Sequence, residues 1–176
     1  MARIQVYLRP TTGNPVFRFI RPGGHRDSIP ALRLQVFVDL LAHIQPGQQD
    51  TSGAFPFCAL DSGSHLSVVP ERIWGQFRPG VVTPLPFDPA MPLAQRVFSF
   101  GGGTWPYELG ELTVRLRDLT GSVMDVTLVA QLTNDSGRLT VPLVLGLRGG
   151  VLDGRILRSE LDSTVPFGQT WFLEDP

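Results

Sequence analysis

One aspartate in this sequence stands where a carboxylate can do acid–base chemistry. An apolar run at residues 57–60 leads directly into the triplet Asp-Ser-Gly at residues 61–63, and a second, mostly apolar run follows at residues 66–69. Aspartate caps its own turn and glycine supplies a positive φ, so the triplet predicts a tight turn between two strands. Asp61 is therefore expected at the end of a buried strand and not on a solvated surface.

A second copy of the same triplet provides an internal comparison. Asp-Ser-Gly recurs at residues 135–137, but there it follows the polar residues Thr133 and Asn134 and precedes Arg138. A hairpin loop accounts fully for this copy, because the same residue types favour surface turns. We assign a catalytic role to Asp61 and none to the second triplet.

Other kinds of catalytic site have less support. The single cysteine, Cys58, has apolar neighbours and is expected to be buried and inert. The three histidines, His25, His43 and His65, are isolated and show no metal-ligand spacing. The sequence contains neither a Gly-x-Ser-x-Gly elbow nor a phosphate-binding loop. We therefore expect no metal and no cofactor.

The sequence around Asp61 resembles the retropepsin-like aspartic proteases. Their signature is two or three apolar residues, Asp-Thr/Ser-Gly, a small residue, and then apolar-Ser/Thr-apolar. Residues 98–103, Phe-Ser-Phe-Gly-Gly-Gly, resemble the family's flexible flap hairpin, and residues 143–146, Leu-Val-Leu-Gly, resemble its apolar-apolar-Gly element. The resemblance covers residues 31–160. It implies an acid protease barrel with one lobe per chain and one short C-terminal helix over residues 147–157.

The resemblance also assigns roles to the residues of the turn. Asp61 corresponds to the catalytic aspartate, and Gly63 to the glycine that lets the turn backbone approach the carboxylate closely. Ser62, which replaces the commoner threonine, corresponds to the hydroxyl that reaches across a two-fold axis to the partner's backbone. The hydroxyl of Ser64 is expected to bond the ionised carboxylate. The candidate flap and substrate-binding residues are Gly101, Gly102, Gly103 and Trp105.

This chemistry needs two aspartates, and the chain offers one. In the family, a water held between two carboxylates adds to the peptide carbonyl while the two acids share one proton. The resemblance therefore implies an aspartic endopeptidase that works as a two-fold homodimer on a peptide or protein substrate, with Asp61 meeting its copy on the axis. We expect an acidic pH optimum. The alternative is an inactive module of the same fold that dimerises and binds peptide, and a third interpretation is a monomeric all-β domain with a coincidental turn.

Composition and patterning predict a single all-β domain. The 176 residues include 19 Gly and 16 Pro, which fall between short apolar runs. Residues 31–41 alternate apolar and polar side chains, as a strand does. Residues 149–161 are expected to hold the one substantial helix, and residues 81–93 to be irregular. Residues 1–30 are expected to form an extra N-terminal hairpin or arm, and residues 161–176 a C-terminal strand.

Charge and hydropathy argue against two other classes of partner. A net charge of −1 lacks the basic excess that nucleic-acid-binding domains carry. No stretch approaches the roughly 18 to 20 apolar residues that a membrane span needs, and the first residues lack the pattern of a secretory leader. We expect no nucleic-acid partner, no membrane partner and a cytoplasmic location.

Overall fold

The chain is built almost entirely of β-strands. The computed structural model describes residues 2–10, 16–47, 57–61, 64–100, 102–134 and 141–176. Within them lie β1 (Arg3–Pro10), β2 (Val16–Ile20), β3 (Arg26–Pro30), β4 (Leu32–Asp39), β5 (Phe57–Asp61), β6 (Ser67–Pro70), β7 (Val82–Leu85), β8 (Val97–Phe100), β9 (Gly103–Arg117), β10 (Val123–Thr133), β11 (Val144–Gly146), β12 (Ile156–Leu161) and β13 (Gln169–Glu174). One short helix, α1 (Glu71–Trp74), follows β6. The all-β prediction is confirmed.

Eleven of the strands form one sheet that closes on itself. Its order is β12-β13-β1-β4-β5-β11-β6-β10-β9-β7, and β8 joins it by pairing with β9. Because β4 also pairs with β9, the strands β4, β5, β11, β6, β10 and β9 form a closed ring of hydrogen-bonded neighbours. Closure removes the free edges of these six strands and encloses a core.

The core follows from alternation along the strands of this ring. In β4 the buried side chains are Val36 and Val38, as the alternating pattern of residues 31–41 predicts. The longest strands show the same period of two: Leu112, Val114 and Leu116 of β9, with Met124, Val126, Leu128 and Ala130 of β10, are all buried. Each of these strands therefore contributes one face to a shared apolar interior.

The N-terminal residues divide between the main sheet and a separate hairpin. Strand β1 pairs with both β13 and β4, so it belongs to the main sheet. Strands β2 and β3 form a two-stranded sheet of their own, with Val16 opposite Pro30. Its apolar side chains Phe17, Ile20 and Ile29 are exposed.

The helix predicted near the C-terminus is wrong. Residues 147–155 form turns, and β12 occupies residues 156–161, where it pairs along its full length with β13. The physical reason is that Gly149, Gly150 and Gly154 have φ of 70°, 124° and 77°, values that a right-handed helix excludes. Within the described residues, α1 is the longest helix and spans four residues. None of the helices in this part of the chain is long and apolar enough to cross a membrane.

The proline-rich segment at residues 81–93 is also more regular than predicted. Strand β7 (Val82–Leu85) pairs with β9 at the end of the sheet. Proline is tolerated there because an edge strand has one side without ladder hydrogen bonds. Pro84 lies opposite Gly110 in this edge pair.

A buried carboxylate fixes the turn between β9 and β10. Asp118 is 4% exposed. One of its oxygens accepts hydrogen bonds from the Thr120 hydroxyl (2.6 Å), the Thr120 amide (2.9 Å) and the Ser122 amide (2.9 Å). The other accepts from the Gln5 amide of β1 at 3.2 Å. Burial acts to raise the pKa of Asp118, but these hydrogen bonds outweigh it and hold the pKa below its ordinary value.

Replacing Asp118 by Asn is expected to destabilise the fold by about 2 kcal/mol at pH 7, because an amide group would face the Gln5 amide donor. The folded-state pKa lies below the unfolded one, so this contribution is present above the unfolded pKa and is lost as pH falls through the folded one. The difference between variant and wild type should therefore shrink below about pH 4 in denaturant titrations. Asp125→Asn, at an exposed ion pair with Arg115, is the matched control and should cost about 0.5 kcal/mol. Equal losses in the two variants would contradict this account.

Candidate active site

Asp61 is the last residue of β5 and lies where the strand leaves the core. Along β5, Cys58 and Leu60 are buried, whereas Ala59 and Asp61 belong to the opposite face. Asp61 lies at the strand end as predicted, but it is exposed in the single chain, whereas the sequence analysis expects a carboxylate away from a solvated surface. The predicted support residues Ser62 and Gly63 lie outside the described residues.

Strand β11 passes between the two strands that flank this turn. It pairs with β5 in parallel and with β6 in antiparallel fashion, and Gly146 is the partner of Asp61 in the register. The following backbone is tied to the turn, because the Leu147 amide donates to the Ser64 carbonyl (3.3 Å) and the Arg148 amide to the His65 carbonyl (3.0 Å). The apolar-apolar-Gly segment recognised in the sequence is thus hydrogen-bonded to the Asp61 turn.

The contact at Gly146 is close enough to require glycine. A Cβ at this position would lie 2.4 Å from the Leu66 carbonyl carbon, 2.5 Å from its oxygen and 2.9 Å from the Ser67 nitrogen. These are backbone atoms, which cannot rotate away as a side chain can. The Gly146 amide also donates to the buried Ser67 hydroxyl at 3.2 Å. Two backbone segments therefore cross at Gly146, and this crossing fixes β11 against Leu66 and Ser67.

The Ser64 hydroxyl does not have the hydrogen-bond partner that was predicted for it, the ionised Asp61 carboxylate. That hydroxyl donates to the Leu66 carbonyl at 2.6 Å, and the Ser64 amide donates to the Asp61 carbonyl at 3.2 Å. A serine hydroxyl has one proton, which here stabilises the local backbone instead of the Asp61 carboxylate. Ser64 therefore shapes the turn.

Asp61 lines a cleft of about 580 Å³ together with three residues of β8, Phe98, Ser99 and Phe100. Residues of β4, β5, β6, β8 and the segment around β11 surround it: Arg33, Gln35, Phe57, Ala59, Asp61, Ser64, Val68, Phe98, Ser99, Phe100, Pro142, Leu143 and Val144. The first three residues of the motif that begins at Phe98 thus share a cleft with the Asp61 carboxylate. Eight of the thirteen lining residues are apolar, and the other five are polar or charged.

The predicted flap residues have different positions at the hairpin tip. Gly101 lies outside the described residues, and Gly102 has φ of 81°, which the tight turn requires. Gly103 leaves space for the Trp105 ring, because a Cβ there would lie 2.3 Å from that ring. Trp105 is the register partner of Phe98 and packs on the hairpin itself. It is not among the residues that line the cleft.

Sequence reasoning did not assign a binding role to Phe98 and Phe100. Their rings stack, with centroids 6.3 Å apart and planes 9° apart, on the side of β8 that faces the cleft. The signal was present in the sequence, because residues two apart on a strand share a face and these two precede the glycine turn. They add two aromatic rings to the cleft that Asp61 lines.

Two arginines lie in the row of residues that crosses the sheet at Asp61. Arg9 of β1 is directly opposite Arg33 of β4. The register of β4 with β5 then places Arg33 across from Asp61, one position beyond the last pair of that ladder. Arg33 and Asp61 line both the cleft and a neighbouring cavity of about 450 Å³. The Arg9 guanidinium lies 3.8 Å from the centroid of the Phe57 ring, which also lines the cleft.

Thiol and metal chemistry find no support in the described part of the chain. Cys58 is fully buried, and its thiol donates to the Leu143 carbonyl at 3.1 Å. Burial raises the pKa of the Cys58 thiol well above its ordinary value, so no thiolate nucleophile is available. Among the residues with a described position, no three His, Cys, Asp or Glu side chains form a group that holds a metal ion.

Comparison with protein-family models, with curated proteins and with solved structures finds no match to this chain.

Proposed function

We propose that this chain is one half of an aspartic endopeptidase of the retropepsin-like type, active as a two-fold homodimer. The observation that carries the proposal is that β11 pairs with both β5 and β6 beside Asp61, and that Asp61 shares a cleft with the aromatic residues of β8. A plain surface turn needs neither a strand paired between its two flanking strands nor a cleft shared with a hairpin. The order of the three segments in the sequence supports the same family.

The need for a second chain follows from the composition of the cleft. Asp61 is the only carboxylate among the described residues that line it. Water activation between two acids requires a second carboxyl group, which an identical chain supplies on a two-fold axis. A peptide then lies in the joined clefts of the two chains, between both aspartates and both hairpins.

The chemistry assigned to the pair is general acid–base catalysis. Two carboxyl groups about 3 Å apart cannot both ionise cheaply, so the pair holds one proton. The ionised partner takes a proton from water as the water attacks the peptide carbonyl, and the protonated partner donates toward the carbonyl oxygen. The hairpins exclude bulk water during this step. No metal or cofactor takes part in the proposed reaction.

The test is cleavage of an unfolded protein substrate by wild type and by Asp61→Asn over about pH 3 to 8. The proposal requires cleavage by wild type, strongest at acidic pH, and loss of cleavage in the variant. Peptide binding without cleavage by either protein would favour the inactive peptide-binding module. Equal cleavage by both would remove Asp61 from the mechanism.

Replacing Phe100 by Ser is expected to raise KM for peptide cleavage about 10-fold, because an aromatic contact to the bound peptide is lost. The control is Val97→Ser on the same strand, since Val97 does not line the cleft and its exposure (39%) is close to that of Phe100 (44%). Steady-state kinetics on one fluorogenic peptide measures both variants. Matching KM values for the two variants would show that the flap face of β8 does not contact substrate.

A further inference from the structure

We propose that Arg33, with Arg9 beside it, selects peptides that carry an acidic side chain near the bond to be cut. The inference rests on the proposed peptidase function, since it assigns part of the same cleft to one side chain of the substrate. The acidic group would be the carboxylate of a Glu or Asp residue.

The row of residues that contains Asp61 carries more positive than negative side chains. Arg9 and Arg33 are directly opposed across β1 and β4, an arrangement that destabilises a strand pair when no anion is present. In the described part of the chain, carboxylates pair with Arg3, Arg21, Arg115, Arg155 and Arg158, but with neither Arg9 nor Arg33. Two guanidinium groups thus accompany the single carboxyl group of Asp61 in this row, and one positive charge is left to attract an anionic ligand.

Of the two arginines, Arg33 is the one that lies in the cleft. It lines the cleft together with the apolar residues Phe57, Ala59, Leu143 and Val144. Arg33 is exposed, so its guanidinium is accessible to a carboxylate that enters the cleft, and the resulting hydrogen bonds are charge-assisted. The planar guanidinium of arginine also matches a carboxylate with two parallel hydrogen bonds.

Arg9 reinforces this site because its side chain is already held. Its guanidinium stacks on the Phe57 ring at 3.8 Å from the centroid, a cation–π contact that restrains the side chain beside the cleft. A restrained charge loses less conformational entropy when a ligand binds. Arg9 does not line the cleft itself, but it places a second, restrained positive charge beside Arg33.

The peptide is the favoured occupant because Arg33 shares its cleft with the flap residues Phe98 and Phe100. A peptide held between the hairpin and Asp61 passes directly over the Arg33 side of the cleft. An acidic residue of the second copy is the competing occupant. In that case the loss of Arg33 would weaken the dimer without changing peptide selection.

The test is fluorescence anisotropy with two labelled octapeptide pools that differ only in Glu or Gln at the positions flanking the centre. The protein is the full wild-type chain, which keeps the Asp61 carboxyl group, and the central bond of each peptide is a non-hydrolysable reduced peptide bond, so that binding is measured without cleavage. We expect the Glu pool to bind about 10-fold more tightly than the Gln pool. Adding Arg33→Gln should reduce this preference to less than about 2-fold, and Arg33→Lys should leave an intermediate one because lysine lacks the bidentate geometry.

The matched control is Arg158→Gln on β12, an exposed arginine that does not line the cleft, and it should keep the full preference for Glu. Equal binding of the two pools, or a preference that survives Arg33→Gln, would overturn the inference. Thermal unfolding of each variant verifies that it is folded. If Arg33→Gln does not fold, the reduced preference for the Glu pool is tested with Arg33→Lys alone. Because binding does not depend on turnover, these results are independent of the cleavage assay that tests the peptidase function.

Discussion

Replacing Asp61 by Asn is expected to lower kcat/KM for peptide cleavage by about 10⁴-fold, the upper range of what one general acid–base group contributes. Asparagine has nearly the same shape as aspartate but neither accepts a proton from water nor donates one to the carbonyl oxygen. The fold should be retained, because Asp61 is exposed at the end of β5 and its neighbours Cys58 and Leu60 carry the packing.

The control for this loss is Asp125→Asn, which removes an exposed carboxylate on the outer side of β10. That variant should keep wild-type kcat/KM, and both variants should unfold within about 1 kcal/mol of wild type. Assays at several pH values separate a lost catalyst from a shifted optimum. A wild-type profile that rises toward alkaline pH, or an Asp61→Asn protein that retains a tenth of the activity, would be incompatible with the proposed pair of acids.

Replacing Gly146 by Ala is expected to destabilise the fold by about 3 kcal/mol and to abolish activity in the protein that remains folded. The added methyl group would meet the backbone of Leu66 and Ser67 at 2.4 to 2.9 Å, so one of the two crossing segments must move. Either movement shifts the turn that follows Asp61. Since catalysis depends on the positions of groups to within about 1 Å, a shift that the fold tolerates should still abolish activity.

Gly121→Ala is the control for this substitution. Gly121 has φ of 92° in an exposed turn, and no described atom lies within 4 Å of the place that an added methyl group would take. The cost of this substitution is therefore backbone strain alone, about 1 kcal/mol. Denaturant titration gives both free energies of unfolding, and peptide cleavage gives the activities. If Gly146→Ala proved as mild as Gly121→Ala in both measurements, the tight crossing would not be what positions the turn.

Local sequence patterns predicted those parts of the fold that depend on one strand at a time. The alternation at residues 31–41 identified β4, and the apolar run before Asp61 identified β5. The C-terminal helix was mispredicted because the strand character of β12 comes from its partner β13, which the local pattern at residues 149–161 does not contain. Tertiary pairing overrides local propensity in such short segments.

In the candidate site too, the sequence predicts what depends on one segment and not what depends on the pairing of strands. Motif and order identified Asp61, the segment at residues 143–146 and the segment that begins at Phe98, and residues of all three line one cleft. The contribution of Arg33 depends on the registers of β1, β4 and β5, which a linear sequence does not specify. The position of Trp105 depends in turn on its pairing with Phe98 across the hairpin.

The central claim is that each active site takes one aspartate from each of two chains, and a subunit-mixing experiment tests it most directly. Wild-type protein is held at constant concentration and incubated with a ninefold excess of Asp61→Asn protein until subunits have exchanged. If the site is shared, most wild-type chains then pair with an inactive chain, and activity should fall to about 10% of its starting value. Unchanged activity in the presence of the excess variant would contradict the account, because it would show that one chain alone forms the complete site.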